Sequence, residues 1–340
     1  MSSFTSSSDS GHGTNPVEAV LALFRSSWLS IAFCVFLILA GGAWYRYQRP
    51  REFSRNLADT IITEQLFRAA SIEDFDILIM ADSSALMGID AVALSQLSGR
   101  RAESLCTVGT IGPRGFAEIL NSLSSHYRNI PVIIVMFSGF SLNIPAETFA
   151  GIPEEQKIIS GTYTRPLSFV RGARSKLFED FFKKCTFIPS PGVYGIYYGD
   201  SHSVRSFISA SHGSLIEPDM KLTKAFAGPD FYRYEISHEI ESKMYYLRDA
   251  LKNFDTENVF LGISPFPEMF GDEETYRTRD KTLQKLSEIL DIDADHIITL
   301  PPSMDDNLFS TFSHMNKQGR DRFTVMLNEF LVEKDAFHSN

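Results

Sequence analysis

The chain has few cysteines, few tryptophans and a deficit of positive charge, and these shortages remove several classes of protein. Three cysteines in 340 residues cannot build the disulfide framework of a small secreted domain. Cys34 falls in an apolar run, while Cys106 and Cys185 are far apart in sequence. One Cys106–Cys185 bridge, or two buried thiols, are the readings left open. Lys and Arg number 32 against 42 Asp and Glu, a formal charge of −10. That balance argues against a protein whose main task is to grip nucleic-acid phosphates. Gly109-x-x-Gly112-x-x-Gly115 lacks the Gly-Lys-Ser/Thr ending of a phosphate loop and the spacing of a dinucleotide fingerprint, so it reads as a turn. His202, His212 and Asp200 lie in a Ser-rich stretch without ligand spacing, and no metal site is expected. Neither an internal repeat nor a coiled-coil pattern is visible.

What the chain does have is 44% apolar residues, ample for a packed core. Residues 1–25, Ser/Gly/Thr-rich and without apolar periodicity over the first fifteen, read as a disordered tail. From Ser26 to Trp44 the sequence SSWLSIAFCVFLILAGGAW carries no charge and is bounded by Arg25 and Arg46. About 20 such residues cross a bilayer core as a helix, and Trp28 and the Trp44–Tyr45 pair mark its edges as interfacial aromatics do. Residues 26–45 therefore read as a single-pass membrane anchor. A signal peptide cleaved near Ala43 fits less well, because the polar lead is long and weakly basic. Arg46, Arg49, Arg51 and Arg55 crowd the far side, which by the positive-inside rule puts the large domain in the cytoplasm.

Residues 46–73 read as a juxtamembrane linker and helix, with Leu57, Ile61, Ile62, Leu66 and Phe67 at helical spacing. Residues 74–335 then alternate strand and helix. Strands are predicted at Asp76–Met80, Ser104–Val108, Pro131–Phe137, Val259–Ile263 and His296–Leu300. Helices are predicted near Ala91–Leu97, Gly115–His126, Ile236–Leu251, Arg279–Leu290 and Lys317–Leu331. Short apolar strands separated by helices imply an α/β fold with a five-stranded parallel sheet covered on both faces. Functional groups in such folds collect past the carboxyl ends of the strands. The stretch 141–234 breaks this rhythm with Pro/Gly clusters and β-like pieces such as GIYYG and SVRSFISA, and reads as an insertion.

The first strand runs into Ala81-Asp82-Ser83-Ser84, then Met87-Gly88-Ile89-Asp90. A serine where a strand hands over to a helix occupies a nucleophile's position, beside helix N–H groups. A helix cap is the plainer reading of such a serine and of Asp82. Near the end of the chain, Phe312-Ser313-His314-Met315-Asn316-Lys317-Gln318-Gly319 puts a histidine on the loop before the last helix. An imidazole there could take and return the serine proton.

These two segments together resemble the first and last blocks of the SGNH/GDSL hydrolases. The "GID" tail is similar to membrane-associated members of alginate O-acetylation and teichoic-acid D-alanylation systems. The resemblance covers roughly 76–145 and 259–331. It implies a flavodoxin-like three-layer sandwich, with Ser83 as nucleophile and His314 as base. It also implies that Gly112 and Ser141, the latter at the family's Asn position, are oxyanion donors. Thr311 stands where the family carries the aspartate that orients the base; Asp305 and Asp306 are substitutes nearby. The implied activity is esterase or O-acyltransferase chemistry on an acylated envelope polysaccharide or acyl donor. It calls for no cofactor, metal or nucleic acid, and other envelope-biosynthesis proteins are expected partners. The large domain would lie outside the cytoplasm, against the arginine bias. The substitutions at Thr311 and Ser141 leave a second reading, a catalytically degenerate binding or assembly factor.

Overall fold

The structure is a computed structural model that describes residues 57–142, 201–215, 234–256 and 258–337, with a few positions between Val17 and Phe36. The chain divides into two compact units, Met1–Phe53 and Ser54–Asn340. In the first unit Trp28, Ile31, Phe33 and Phe36 are helical and exposed. Most of the 26–45 segment lies outside the described residues, and among the described residues no helix is long and apolar enough to cross a membrane.

The second unit is mixed α/β, built on a parallel sheet of four strands. They are β1 (Ile77–Ala81), β2 (Ala102–Ser104), β3 (Val132–Phe137) and β4 (Asn258–Ile263), in the order β2-β1-β3-β4. This order is compatible with a flavodoxin-like fold. Every residue of β1 and β3 is buried, as a sheet covered on both faces requires. Alternation along the strands sorts the core into two layers. Leu78, Met80, Ile133 and Val135 face a cluster formed by α1 (Leu57–Ala69), α4 (Gly112–Ser124), α7 (His238–Leu251) and α8 (Glu273–Leu290). Ile77, Ile79, Ile134 and Met136 face one formed by α2 (Ser83–Gly88), α3 (Ala91–Ser98), α6 (Ser201–Ala210) and α9 (Lys317–Glu333). The short helix α5 (Gly139–Leu142) follows β3.

Three sequence expectations change. The fifth strand, predicted at His296–Leu300, is reduced to one parallel bridge between Ile297 and Leu261. His296 closes a 3-10 turn, and Pro301 and Pro302, which have no N–H to donate, end any ladder. A two-stranded piece, β5 (Phe266–Pro267) with β6 (Ser303–Met304), follows instead. Helix α1, read as juxtamembrane, is packed in the core through Ile61, Ile62 and Leu66. Part of the 141–234 insertion is also core: the β-like SVRSFISA is helix α6, with Val204 and Ile208 buried one turn apart. The rest of the insertion, 143–200 and 216–233, lies outside the described residues.

The turn after α6 closes the outer edge of β2. The Ser104 N–H donates to His212 O (2.8 Å), and Gln65 Nε2 donates to Gly213 O (2.9 Å). Gly213 has φ +93°, and a Cβ there would meet Ser104 O at 1.8 Å. Gly213→Ala is expected to cost about 2–3 kcal/mol from strain and forced displacement, read as a lower midpoint in urea unfolding. An unchanged midpoint would show that this turn does not brace the edge.

Cys106 is a free, buried thiol, so it forms no bridge with Cys185, which lies outside the described residues. Burial pushes it up from 9.0 to about 12. The folded chain holds this proton more tightly than the unfolded chain. Its stabilising contribution is therefore complete below pH 9.0 and is lost as pH rises towards about 12. In a chain carrying Cys34→Ser and Cys185→Ser, Cys106 is expected to resist a disulfide reagent at pH 8 and to react on unfolding. Rapid reaction of the native chain would contradict its sequestration.

Candidate active site

The site forms where β1 ends. The chain leaves β1 for β2 on one side, while β3 lies on the other, so Ser83 sits at the switch point where open α/β sheets leave a crevice. Asp82 caps α2 and Ser83 is that helix's first residue, half-buried.

Asp82 itself is 1% exposed and gathers four donors. Its Oδ1 accepts from Ser84 N–H (2.9 Å) and the Ser84 hydroxyl (2.5 Å). Its Oδ2 accepts from Ser138 N–H (2.7 Å) and the Ser138 hydroxyl (2.8 Å). Ser84 Oγ in turn lies 2.7 Å from Ser264 Oγ, just past β4. With its proton on Asp82, Ser84 accepts the proton of Ser264. One carboxylate thus ties together the carboxyl ends of β1, β3 and β4 beneath Ser83. Asp82 is the cap expected from sequence, with a wider role. Ser138, Ser84 and Ser264 were not singled out, although each follows an apolar strand where such a residue meets the functional edge.

His314 arrives from the other end of the chain. Phe309 and Met315 pair across a tight loop, and the N–H groups of Ser310 and Thr311 both donate to His314 O (3.0 and 3.3 Å). Asn316 caps α9 through Gly319 N–H (3.0 Å), and its Nδ2 donates to Asn307 O (2.6 Å). A Cβ on Gly319 would stand 2.1 Å from Leu308 O, so only glycine permits this close approach of helix to loop. The braced loop sets His314 Nε2 at 3.0 Å from Ser83 Oγ. Both residues are half-buried, open to a reagent yet fixed in place.

The other expected residues are otherwise engaged. Gly112 does require its glycine, with φ +60°, but its N–H donates to Gly109 O in the preceding 3-10 turn. Ser141 is 2% exposed, donates to Ser138 O (3.0 Å) and accepts from Ser138 N–H (3.2 Å). Its single proton therefore serves the turn after β3. Thr311 Oγ1 accepts from the N–H groups of His314 (3.1 Å) and Ser313 (3.4 Å), holding the loop's backbone rather than adding charge beside the base. Asp305 caps a short turn through Asn307 N–H, and Asp306 Oδ1 accepts from Met269 N–H (2.8 Å). On the β4 side, burial pushes the Tyr234 phenol up and the Arg279 guanidinium down; Arg279 Nη2 donates to Ile263 O (2.9 Å). Among the described residues no group of acidic, His or Cys side chains could hold a metal ion. The chain matches no protein-family model and no curated protein.

Proposed function

We propose that this chain is a membrane-anchored SGNH-type acyl enzyme, an esterase or O-acyltransferase acting on an acylated envelope polysaccharide or its precursor. The observation that carries the proposal is the 3.0 Å contact of Ser83 Oγ with His314 Nε2, within the reach a base needs to take a nucleophile's proton. Ser83 Oγ attacks the acyl carbonyl while His314 Nε2 accepts its proton. The imidazolium then returns that proton to the departing alkoxide oxygen, leaving an acyl-serine. Water completes hydrolysis, or a sugar hydroxyl completes transfer: His314 takes the proton of the attacking hydroxyl and passes it to Ser83 Oγ as the acyl–serine bond breaks. The Ser83 N–H, in the first turn of α2 where N–H groups have no partner inside the helix, is the donor suited to the oxyanion. Gly112 and Ser141 would join it only by giving up their present bonds. The SGNH assignment rests on the two sequence blocks.

The segment 26–45 is the anchor, and the domain lies outside the cytoplasm, as in the systems it resembles. Alkaline phosphatase fused after Asn340 is expected to be active; an inactive fusion, with a fluorescent protein glowing in its place, would put the domain on the other side. A second reading, a degenerate SGNH-fold binding or assembly factor, is favoured by Thr311 and by the engagement of Asp305 and Asp306. A fluorophosphonate separates the two. The enzyme is labelled, and Ser83→Ala abolishes labelling. A folded wild-type chain that small fluorophosphonates leave unmodified would favour the binding protein.

A further inference from the structure

Seven residues after Ser83, Asp90 ties the corner between α2 and α3 to the start of α9. Its Oδ1 caps α3, accepting from Val92 N–H and Ala93 N–H (both 3.1 Å). Its Oδ2 stands 2.9 Å from Arg320 Nη2, and the two side chains are 19% and 5% exposed. The Asp90 N–H donates to Thr324 Oγ1 (3.0 Å), and that hydroxyl donates to Arg320 O (2.7 Å). Arg320 and Thr324 lie one turn apart on the same face of α9, so the corner is gripped at two points. Asp321 also approaches Arg320, at 3.8 Å, but it is exposed and paired with Lys317 at 2.8 Å. Asp90 is therefore the principal counter-ion of Arg320.

We infer that Asp90 and Arg320 are positioning residues for the contact between Ser83 and His314; the inference rests on reading Ser83 as a nucleophile. Ser83 opens α2, and Ile89 N–H, donating to Ala85 O (2.9 Å), closes that helix directly before Asp90. On the other side, His314 precedes Asn316, the cap of α9, and Arg320 lies in that helix's first turn. Each functional side chain is thus one short, rigid element away from the ion pair. Beside the pair, the contact between the two segments is apolar: a Cβ on Gly88 would stand 3.6 Å from Met315 Sδ. An apolar contact can slide at little cost, whereas a charge-assisted bond fixes distance and direction. Arg320 is 4% exposed, so desolvation offsets much of what the pair adds to stability, and what it supplies is register. Register matters here. Ser83 Oγ and His314 Nε2 meet across a single 3.0 Å contact, and a misplacement of about 1 Å can cost about 10²-fold in rate.

The test follows labelling of Ser83 by a soluble fluorophosphonate in the full chain, per folded molecule, with the folded fraction taken from urea unfolding. Arg320→Met and Asp90→Asn are expected to slow labelling about tenfold. Lys317→Met, which breaks only the exposed pair with Asp321, should stay within about twofold of wild type. A merely structural ion pair would lower the urea midpoint and leave the rate of the folded chains unchanged. That result overturns the inference, as does an equal loss from Lys317→Met. Should Arg320→Met fail to fold, Asp90→Asn, which keeps an oxygen for the α3 cap, decides alone.

The Nε2 resonance of ¹⁵N-labelled His314 reports the contact itself. It should move in Ser83→Ala, which removes the hydroxyl, and move the same way in Arg320→Met and Asp90→Asn. An unmoved resonance in any folded member of the three overturns the inference. This measurement needs no reaction, so it keeps the two failures apart. A wild-type chain that the probe leaves unlabelled removes the serine-nucleophile reading, and the resonance then decides whether the ion pair sets the contact.

Discussion

In a chain carrying His314→Ala, modification of Ser83 by a soluble fluorophosphonate is expected to slow by about 10²–10⁴-fold, the range of a positioned general base. The reason is local. A serine hydroxyl is a weak nucleophile until a neighbour removes its proton, and Nε2 of His314, 3.0 Å away, is the acceptor in place. The fold should tolerate the change. The loop is secured by backbone bonds to His314 O and by Asn316, none of which uses the imidazole. The ring is half-buried, so truncation should shift the urea midpoint by less than about 1 kcal/mol equivalent. A rate within a factor of two of wild type, in chains that unfold alike, would remove His314 from any catalytic role. Ser83→Ala is the companion control, since it should abolish labelling without altering stability.

The parts of this site legible in sequence were those with a local signature. Ser83 stands where a wholly apolar strand gives way to a short helix. His314 stands just before an Asn cap and a glycine that lets α9 touch its own loop. Both signals are set by backbone chemistry within a few residues, and so is the parallel sheet, through the unbroken apolar runs of β1 and β3. The assisting groups are a different matter. Whether Gly112 N–H is available depends on the 3-10 turn at Gly109–Ile111, and whether Ser141 can donate depends on Ser138. Neither follows from residue type. The fifth strand failed because two prolines directly after the apolar stretch outweigh its period. SVRSFISA reads as β-like, yet Val204 and Ile208 stand one helical turn apart, and as helix α6 the segment packs against α1.

Asp82→Ala is expected to lower the stability of the second unit by on the order of 4 kcal/mol. Four donors converge on this carboxylate: two backbone N–H groups and two hydroxyls. Truncation leaves them facing a void in a place where Asp82, Ser84 and Ser138 are buried. Each buried donor left without a partner costs about 1–3 kcal/mol. Hydroxyl rotation and entry of a water would recover part of that total, which keeps the estimate below the simple sum. Asp82→Asn retains the volume and one acceptor oxygen but turns an NH₂ group towards donors, so it should fall between alanine and wild type. Urea unfolding measures both, and a drop in midpoint at constant slope identifies a native-state effect. The two variants also separate stability from geometry. At urea-free conditions where most of the chain remains folded, Ser83 labelling should still fall, because the end of β1 is no longer tied to Ser138 and Ser264. If Asp82→Ala instead unfolds within about 1 kcal/mol of wild type, the four contacts are incidental. The alignment of Ser83 with His314 must then come from the loop at Phe309–Met315 and the Asp90–Arg320 pair.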